Sequence, residues 1–301
     1  MKNILWKIAA AATAFAALSA HATLNVFTTV PEWAALAEEI GGDKVKAYSA
    51  TNALQDPHRV EARPSLIAKA RGADLVIATG AELEVGWLPL VLQQSGNGKV
   101  RPGTPGYFEA VTAVPVLGKP TKLDRAEGDI HPQGDPHIQT DARNIGRVAE
   151  ALSARMAQLD PADASVFQAR TKQFLEKWNA AVAKWEKQAA PLRGARIVVQ
   201  HKAFTYLIAW LGMEEVAALE PKPGMEPTTA HLAEVLATLE KQPAKMVLRA
   251  AYQGDRASQW LAQRTKINPV VLPFTVGGDD GAKDLFGLFD DTIQRLLKGA
   301  A

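Results

Sequence analysis

Cysteine is missing from all 301 residues. That excludes disulfides, thiolate metal ligands and a cysteine nucleophile, and a lipid anchor attached to a cysteine is not expected. Histidine is scarce, with six residues, and no His-Glu-x-x-His pair occurs, so the commonest zinc-hydrolase signature is lacking. Neither charge sign dominates: the formal net charge is +2, with no basic stripe of the kind a nucleic-acid binder carries. No apolar run reaches the roughly 20 residues a membrane-spanning helix needs. What is present, 47% hydrophobic and 22% charged residues, is the composition of a folded globular protein rather than a disordered chain.

The first 22 residues differ from the rest. Lys2 and Lys7 are followed by the apolar stretch Ile8–Leu18 and by Ala20-His21-Ala22, a small-x-small ending. This is the three-part pattern of a secretory signal peptide cleaved after Ala22. The apolar stretch, about 11 residues, is too short to span a bilayer. A soluble, exported protein is expected, with the periplasm its simplest location and secretion the alternative.

Strand and helix patterns alternate through the first half. Strands are expected over 24–30, 45–50 and 73–79, and helices over 31–40, 64–70 and 83–94. A strand near 107–116 precedes an irregular Pro- and Gly-rich loop over 118–136. From Asp141 the spacing turns helical, breaks at Asp160-Pro161, and resumes through Phe167, Phe174, Trp178 and Trp185 to about residue 190. A single helix of roughly 28 residues, ~42 Å long, fits this spacing, and two helices with a break between them are the alternative. The alternation then restarts, with strands over 195–200, 215–219, 245–249 and 269–274. The fold class is therefore α/β, with two lobes of mainly parallel sheet joined by one long helix. The expected divisions are 1–22 for the signal, 23–155 for the first lobe, 156–190 for the connecting helix and 191–301 for the second lobe.

His21 leaves with the signal, so five histidines remain. His58, His137 and His201 each follow a strand or close a loop, the position at which open α/β sheets bind ligands. Two come from the first half and one from the second. Without cysteine, three imidazoles and a carboxylate are the natural tetrahedral shell for zinc. The carboxylate of choice is Asp279, in Phe274-Thr275-Val276-Gly277-Gly278-Asp279-Asp280, with Asp280 second; the two glycines would let the backbone turn it inward. His131, in the irregular loop, is a candidate accessory ligand or a solvated residue, and His231 starts a surface helix. Trp33, Trp178 and Trp185 fit helix core faces. From the residues alone, hydrogen-bonded loop histidines and a metal site both stay open.

The motifs resemble a known family. Asp56-Pro57-His58 with Arg63-Pro64-Ser65, Asp135-Pro136-His137-Ile138, His201-Lys202-Ala203-Phe204-Thr205-Tyr206-Leu207 and Val276-Gly277-Gly278-Asp279-Asp280 occur in order around the long helix. Together they are similar to the zinc- and manganese-type solute-binding proteins of ABC importers. The resemblance implies a non-enzymatic receptor that holds Zn2+ between its lobes through His58, His137, His201 and Asp279. It implies delivery to an ABC permease in the inner membrane, a monomeric state and, as a further candidate partner, a periplasmic zinc chaperone. Histidine at the third position implies zinc, since imidazole suits zinc while oxygen-rich shells suit manganese. The rival readings are a manganese receptor of the same family, a zinc-dependent hydrolase with an open fourth position, and a two-lobed binder of an organic ligand.

Overall fold

The structure is a computed structural model and describes residues 23–120 and 131–301. The expected signal peptide and part of the irregular loop lie outside these. Each half builds a four-stranded sheet. In the first, β1 (Leu24–Thr28), β2 (Val45–Ser49), β3 (Leu75–Ala78) and β4 (Tyr107–Glu109) pair in the order β2-β1-β3-β4. In the second, β5 (Arg196–Val199), β6 (Glu214–Ala218), β7 (Met246–Ala250) and β8 (Asn268–Leu272) pair in the order β6-β5-β7-β8. Every pairing is parallel and the strand order is the same in both lobes. In such sheets the strand order reverses beside β1 and β5, where the carboxyl ends open a crevice for a ligand.

Helices cover the sheets. The first lobe carries α1 (Pro31–Gly41), α2 (Pro64–Arg71) and α3 (Leu88–Ser95). Next come α4 (Ala142–Leu159) and the long helix α5 (Ala164–Gln188). The second lobe carries α6 (Thr205–Leu211), α7 (Thr229–Lys241), α8 (Arg256–Thr265) and α9 (Leu285–Ala300). The long helix is continuous over 25 residues, about 38 Å. It packs on α1, α4 and α9. Its Phe174, Trp178 and Trp185 are buried and interlock with Phe286 and Phe289 of α9. Two indoles are anchored as well: Trp178 donates to the Ala142 carbonyl and Trp185 to the Asp290 carboxylate, each at 2.7 Å. One hydrophobic core therefore runs from β1 through α5 to β8 and α9. A smaller cluster lies on the outer face of each sheet.

Two expected elements are cut back most. The helix expected from Leu83 starts at Leu88, because Ala81 and Glu82 take positive φ angles of 50° and 66°. That turn aims the Glu84 carboxylate inward, where it accepts from the Thr79 and Gly80 amides and the Thr29 hydroxyl. The strand expected over 107–116 pairs only at Tyr107–Glu109, since its partner β3 ends at Ala78; a 3-10 turn follows at Ala110–Ala113.

The lobes also bond directly. Tyr206 of α6 donates its hydroxyl to the Asp135 carbonyl at 2.9 Å and accepts from the Leu117 amide at 3.1 Å. Arg59 donates to the Gly224 carbonyl at 3.0 Å. Glu32 at the start of α1 accepts from the Thr275 hydroxyl beyond β8, and both residues are buried. Burial, with the Glu84 carboxylate adding to it, pushes the Glu32 carboxyl from 4.5 up to about 7 despite that bond. Between those two pH values the native state holds a proton that the unfolded chain releases. Stability is therefore lost as pH rises through the window, by roughly 3 kcal/mol in all. Glu32→Gln keeps an acceptor for Thr275 and cannot ionise. Thermal unfolding should show this variant more stable than the parent at pH 8 and level with it near pH 5; an equal gap at both would contradict this account.

Candidate metal centre

Three loops meet at the junction of the lobes. His58 lies in the segment after β2, His137 in the segment that leads into α4, and His201 directly after β5. One nitrogen of each ring lies within 4.8 Å of those of the other two. Ring centroids are 5.3 Å apart for His58 and His137 and 5.7 Å for each pair with His201. His137 and His201 are buried, and His58 is partly so.

The tripeptide Asp-Pro-His occurs twice and builds the same device twice. Oδ1 of Asp56 accepts from the His58 amide and lies 2.9 Å from His58 Nδ1. Oδ1 of Asp135 accepts from the His137 amide at 2.8 Å and lies 2.7 Å from His137 Nδ1. Glu220, beyond β6, holds His201 Nδ1 at 2.7 Å. A carboxylate at Nδ1 makes that nitrogen the N–H donor and leaves the lone pair on Nε2. The Nε2 atoms of His58 and His137 are buried with no hydrogen-bond partner among the described residues. An unpaired buried polar atom costs about 1–3 kcal/mol, so the arrangement favours a ligand that supplies the missing contact.

Burial favours the neutral ring at two of the histidines, His137 and His131. Burial holds His137 below its ordinary 6.5, against the pull of Asp135. Burial raises the Asp135 carboxyl, but the His137 ring and hydrogen bonds from His137 and Thr205 carry it below the usual carboxylate value. Burial likewise opposes, and the His58 bond overcomes, in lowering Asp56. His131 stands beside the cluster, its ring 5.4 Å from His58 and 6.3 Å from His137. Burial, with His137 and His58 as neighbours, pushes it down to about 3. Its buried Nδ1 also has no partner among the described residues, although its nitrogens fall outside the tight group of three.

The expected carboxylate is elsewhere. Gly277 has φ 84°, and a Cβ on Gly278 would fall 2.0 Å from the Pro273 carbonyl oxygen. The glycine pair therefore folds the chain back over Pro273 and turns Asp279 away from the histidines. Asp279 caps the Gly281 and Ala282 amides at 2.8 and 3.0 Å and pairs with Arg295 of α9. Asp280 is exposed. Among the described residues no carboxylate joins the three rings. The end of β8 brings Phe274 instead, its ring 5.8 Å from His137. His231 bonds the Ala218 carbonyl and takes no part in the cluster.

Two parallel-sheet lobes spanned by one helix, with a histidine cluster at their junction, form the frame of a two-lobed substrate-binding protein. Residues 26–299 match the family of zinc-uptake complex component A, periplasmic (ZnuA), and the chain belongs to that family. A crystal structure of ZnuA is similar to it with a TM-score of 0.76, at 19% identity, over 93% of this chain and 100% of the other. The zinc-binding lipoprotein AdcA of Streptococcus pneumoniae (strain TIGR4) is 24% identical over 247 residues, 81% of this chain; the match spans only 47% of AdcA, about half its length. The manganese ABC transporter substrate-binding lipoprotein scaA of Streptococcus gordonii is 22% identical over 292 residues, 94% of this chain and 91% of that protein. No helix among the described residues is long and apolar enough to cross a membrane.

The carboxylates behind the rings make a testable distinction. Asp56→Asn, Asp135→Asn and Glu220→Gln should each weaken divalent-metal affinity by about 10–100-fold, and Asp279→Asn should leave it within about twofold. Competitive titration against a chromogenic chelator reads both. A loss in Asp279→Asn as large as in the other three would restore Asp279 to the shell.

Proposed function

We propose that this chain captures zinc in the periplasm and hands it to an ABC importer. His58, His137 and His201 bind the ion through Nε2, water or His131 completes the shell, and the protein is a receptor with no catalytic role. The observation that carries this reading is the set of three converging rings, each held at Nδ1 by its own carboxylate. Zinc accepts four-coordinate shells of imidazole nitrogen at about 2.0–2.1 Å, whereas manganese favours carboxylate and carbonyl oxygen. Membership of a family described by zinc uptake supports the same choice. The manganese reading draws on relatives such as scaA, and an all-imidazole cluster weighs against it.

Delivery follows from the geometry of the junction. The ligands sit on two lobes that share a core with α5, so loading and release proceed through small shifts of the ligand-bearing loops rather than a wide hinge. The partners are a permease and its ATPase; the chain acts as a monomer, and a periplasmic zinc chaperone is a further partner to test. The mature protein begins after Ala22 and stays soluble.

Competitive titration of the metal-stripped protein with zinc, with manganese in parallel, should reveal one tight zinc site per chain and much weaker manganese binding. His58→Ala, His137→Ala and His201→Ala should each abolish the tight site. Zinc affinity should fall as pH drops below about 6, where protons begin to compete for imidazole. Absence of a tight site for either metal would sink the receptor reading.

A further inference from the structure

We propose that Phe274 is the specificity-determining residue of this site: it walls the β8 side of the histidine cluster and withholds the oxygen ligands that manganese needs. The proposal rests on the zinc-receptor reading.

Three observations place Phe274 in this role. First, position: it is two residues beyond the end of β8, at the carboxyl edge where the second lobe faces the cluster. It stands against His137, and its ring also meets Phe204 at 5.9 Å and Tyr252 at 5.4 Å. Tyr252 in turn lines a cavity of about 180 Å³ that borders His58 and His201 and holds Asp56, Glu220 and Glu226 on its other walls, so the oxygen-bearing side of the site is opposite β8. On the β8 side an aromatic surface of Phe204, Phe274 and Tyr252 therefore runs from His137 to the edge of that cavity. Second, conformation: Phe274 has φ 70°, an outlier for a bulky residue. Such a geometry persists only where its surroundings hold it. The next residue supplies the hold: the Thr275 hydroxyl is bonded to Glu32 across the lobe junction. Third, the alternatives are removed. The nearest acids that follow are engaged elsewhere or exposed: Asp279 caps the Gly281 and Ala282 amides and pairs with Arg295, and Asp280 is exposed.

The chemistry then follows. Zinc is satisfied by three imidazoles and one further ligand. Manganese bound to the same rings lacks the carboxylate and carbonyl oxygens it favours, and an apolar wall offers none. Asp56 and Asp135 each commit Oδ1 to an Nδ1, which places them behind the rings of His58 and His137.

The test places a carboxylate at the wall. In Phe274→Asp the ratio of zinc to manganese affinity should fall at least about tenfold, chiefly because manganese binds more tightly, while Phe274→Leu should keep the ratio within about twofold. Cobalt(II) gives a second readout that needs no variant. The parent protein should show the intense visible bands of four-coordination, and Phe274→Asp the weak bands of five- or six-coordination. An unchanged ratio in a folded Phe274→Asp, or a weak six-coordinate cobalt spectrum in the parent, overturns the role of Phe274. A parent with no histidine-dependent zinc site overturns the receptor reading itself. If Phe274→Asp does not fold, the parent's cobalt spectrum decides.

Discussion

The packing of α5 against α1, α4 and α9 is the constraint on which the rest depends. A site assembled from two lobes exists only if their separation is fixed, and here a single hydrophobic core fixes it. Trp178 and Trp185 are buried among Phe286 and Phe289, and each indole N–H is tied to another helix, Trp178 to α4 and Trp185 to α9. Opening the lobes widely would expose these rings, each of which buries on the order of 150–250 Å². With the lobes so fixed, one nitrogen of each of His58, His137 and His201 lies within 4.8 Å of those of the other two.

The second principle of the site is division of labour between charge and ligation. Asp56, Asp135 and Glu220 are each spent on an Nδ1, and the Nε2 atoms of His58 and His137 are left without a hydrogen-bond partner among the described residues. The negative charge needed to favour a dication lies one bond behind the rings, at Asp56, Asp135 and Glu220. Such outer partners orient a ring and raise its basicity. The arrangement is attractive to a metal ion without offering it oxygen directly.

Much of this was legible in the sequence, and the exceptions have physical reasons. Period-two and 3–4–7 patterns located both sheets and the 25-residue helix, because both depend on burial that repeats along the chain. The three histidines were legible from their positions after strands and loops. Asp279 was not, since a Gly-Gly pair permits a turn in either direction and the hand is set by the close approach of Gly278 to Pro273. The repeated Asp-Pro-His carried the signal for Asp56 and Asp135, as a short acid two residues ahead of a histidine can reach both its amide and its ring. Nothing local marks Glu220, which reaches His201 from a neighbouring strand end, nor Phe274, whose role depends on its φ. The late start of α3 has the same origin: strained residues at 81 and 82 that hydrophobic spacing does not record.

The Tyr206 hydroxyl has a consequence for how such a receptor can change over time. It grips the amide of Leu117 and the carbonyl of Asp135, whose own amide bonds back to the Leu117 carbonyl at 2.9 Å. Leu117 and Asp135 are thus held together at one stapled point, and that staple helps to place His137 two residues on. Closing a longer loop costs little, about 0.6 kcal/mol per doubling of its length. Adding or removing residues between 120 and 131 therefore costs the fold little, whereas His131 and Gly134 are bound by their neighbours: the His131 ring lies 5.4 Å from His58, and a Cβ on Gly134 would meet Val116 at 2.3 Å.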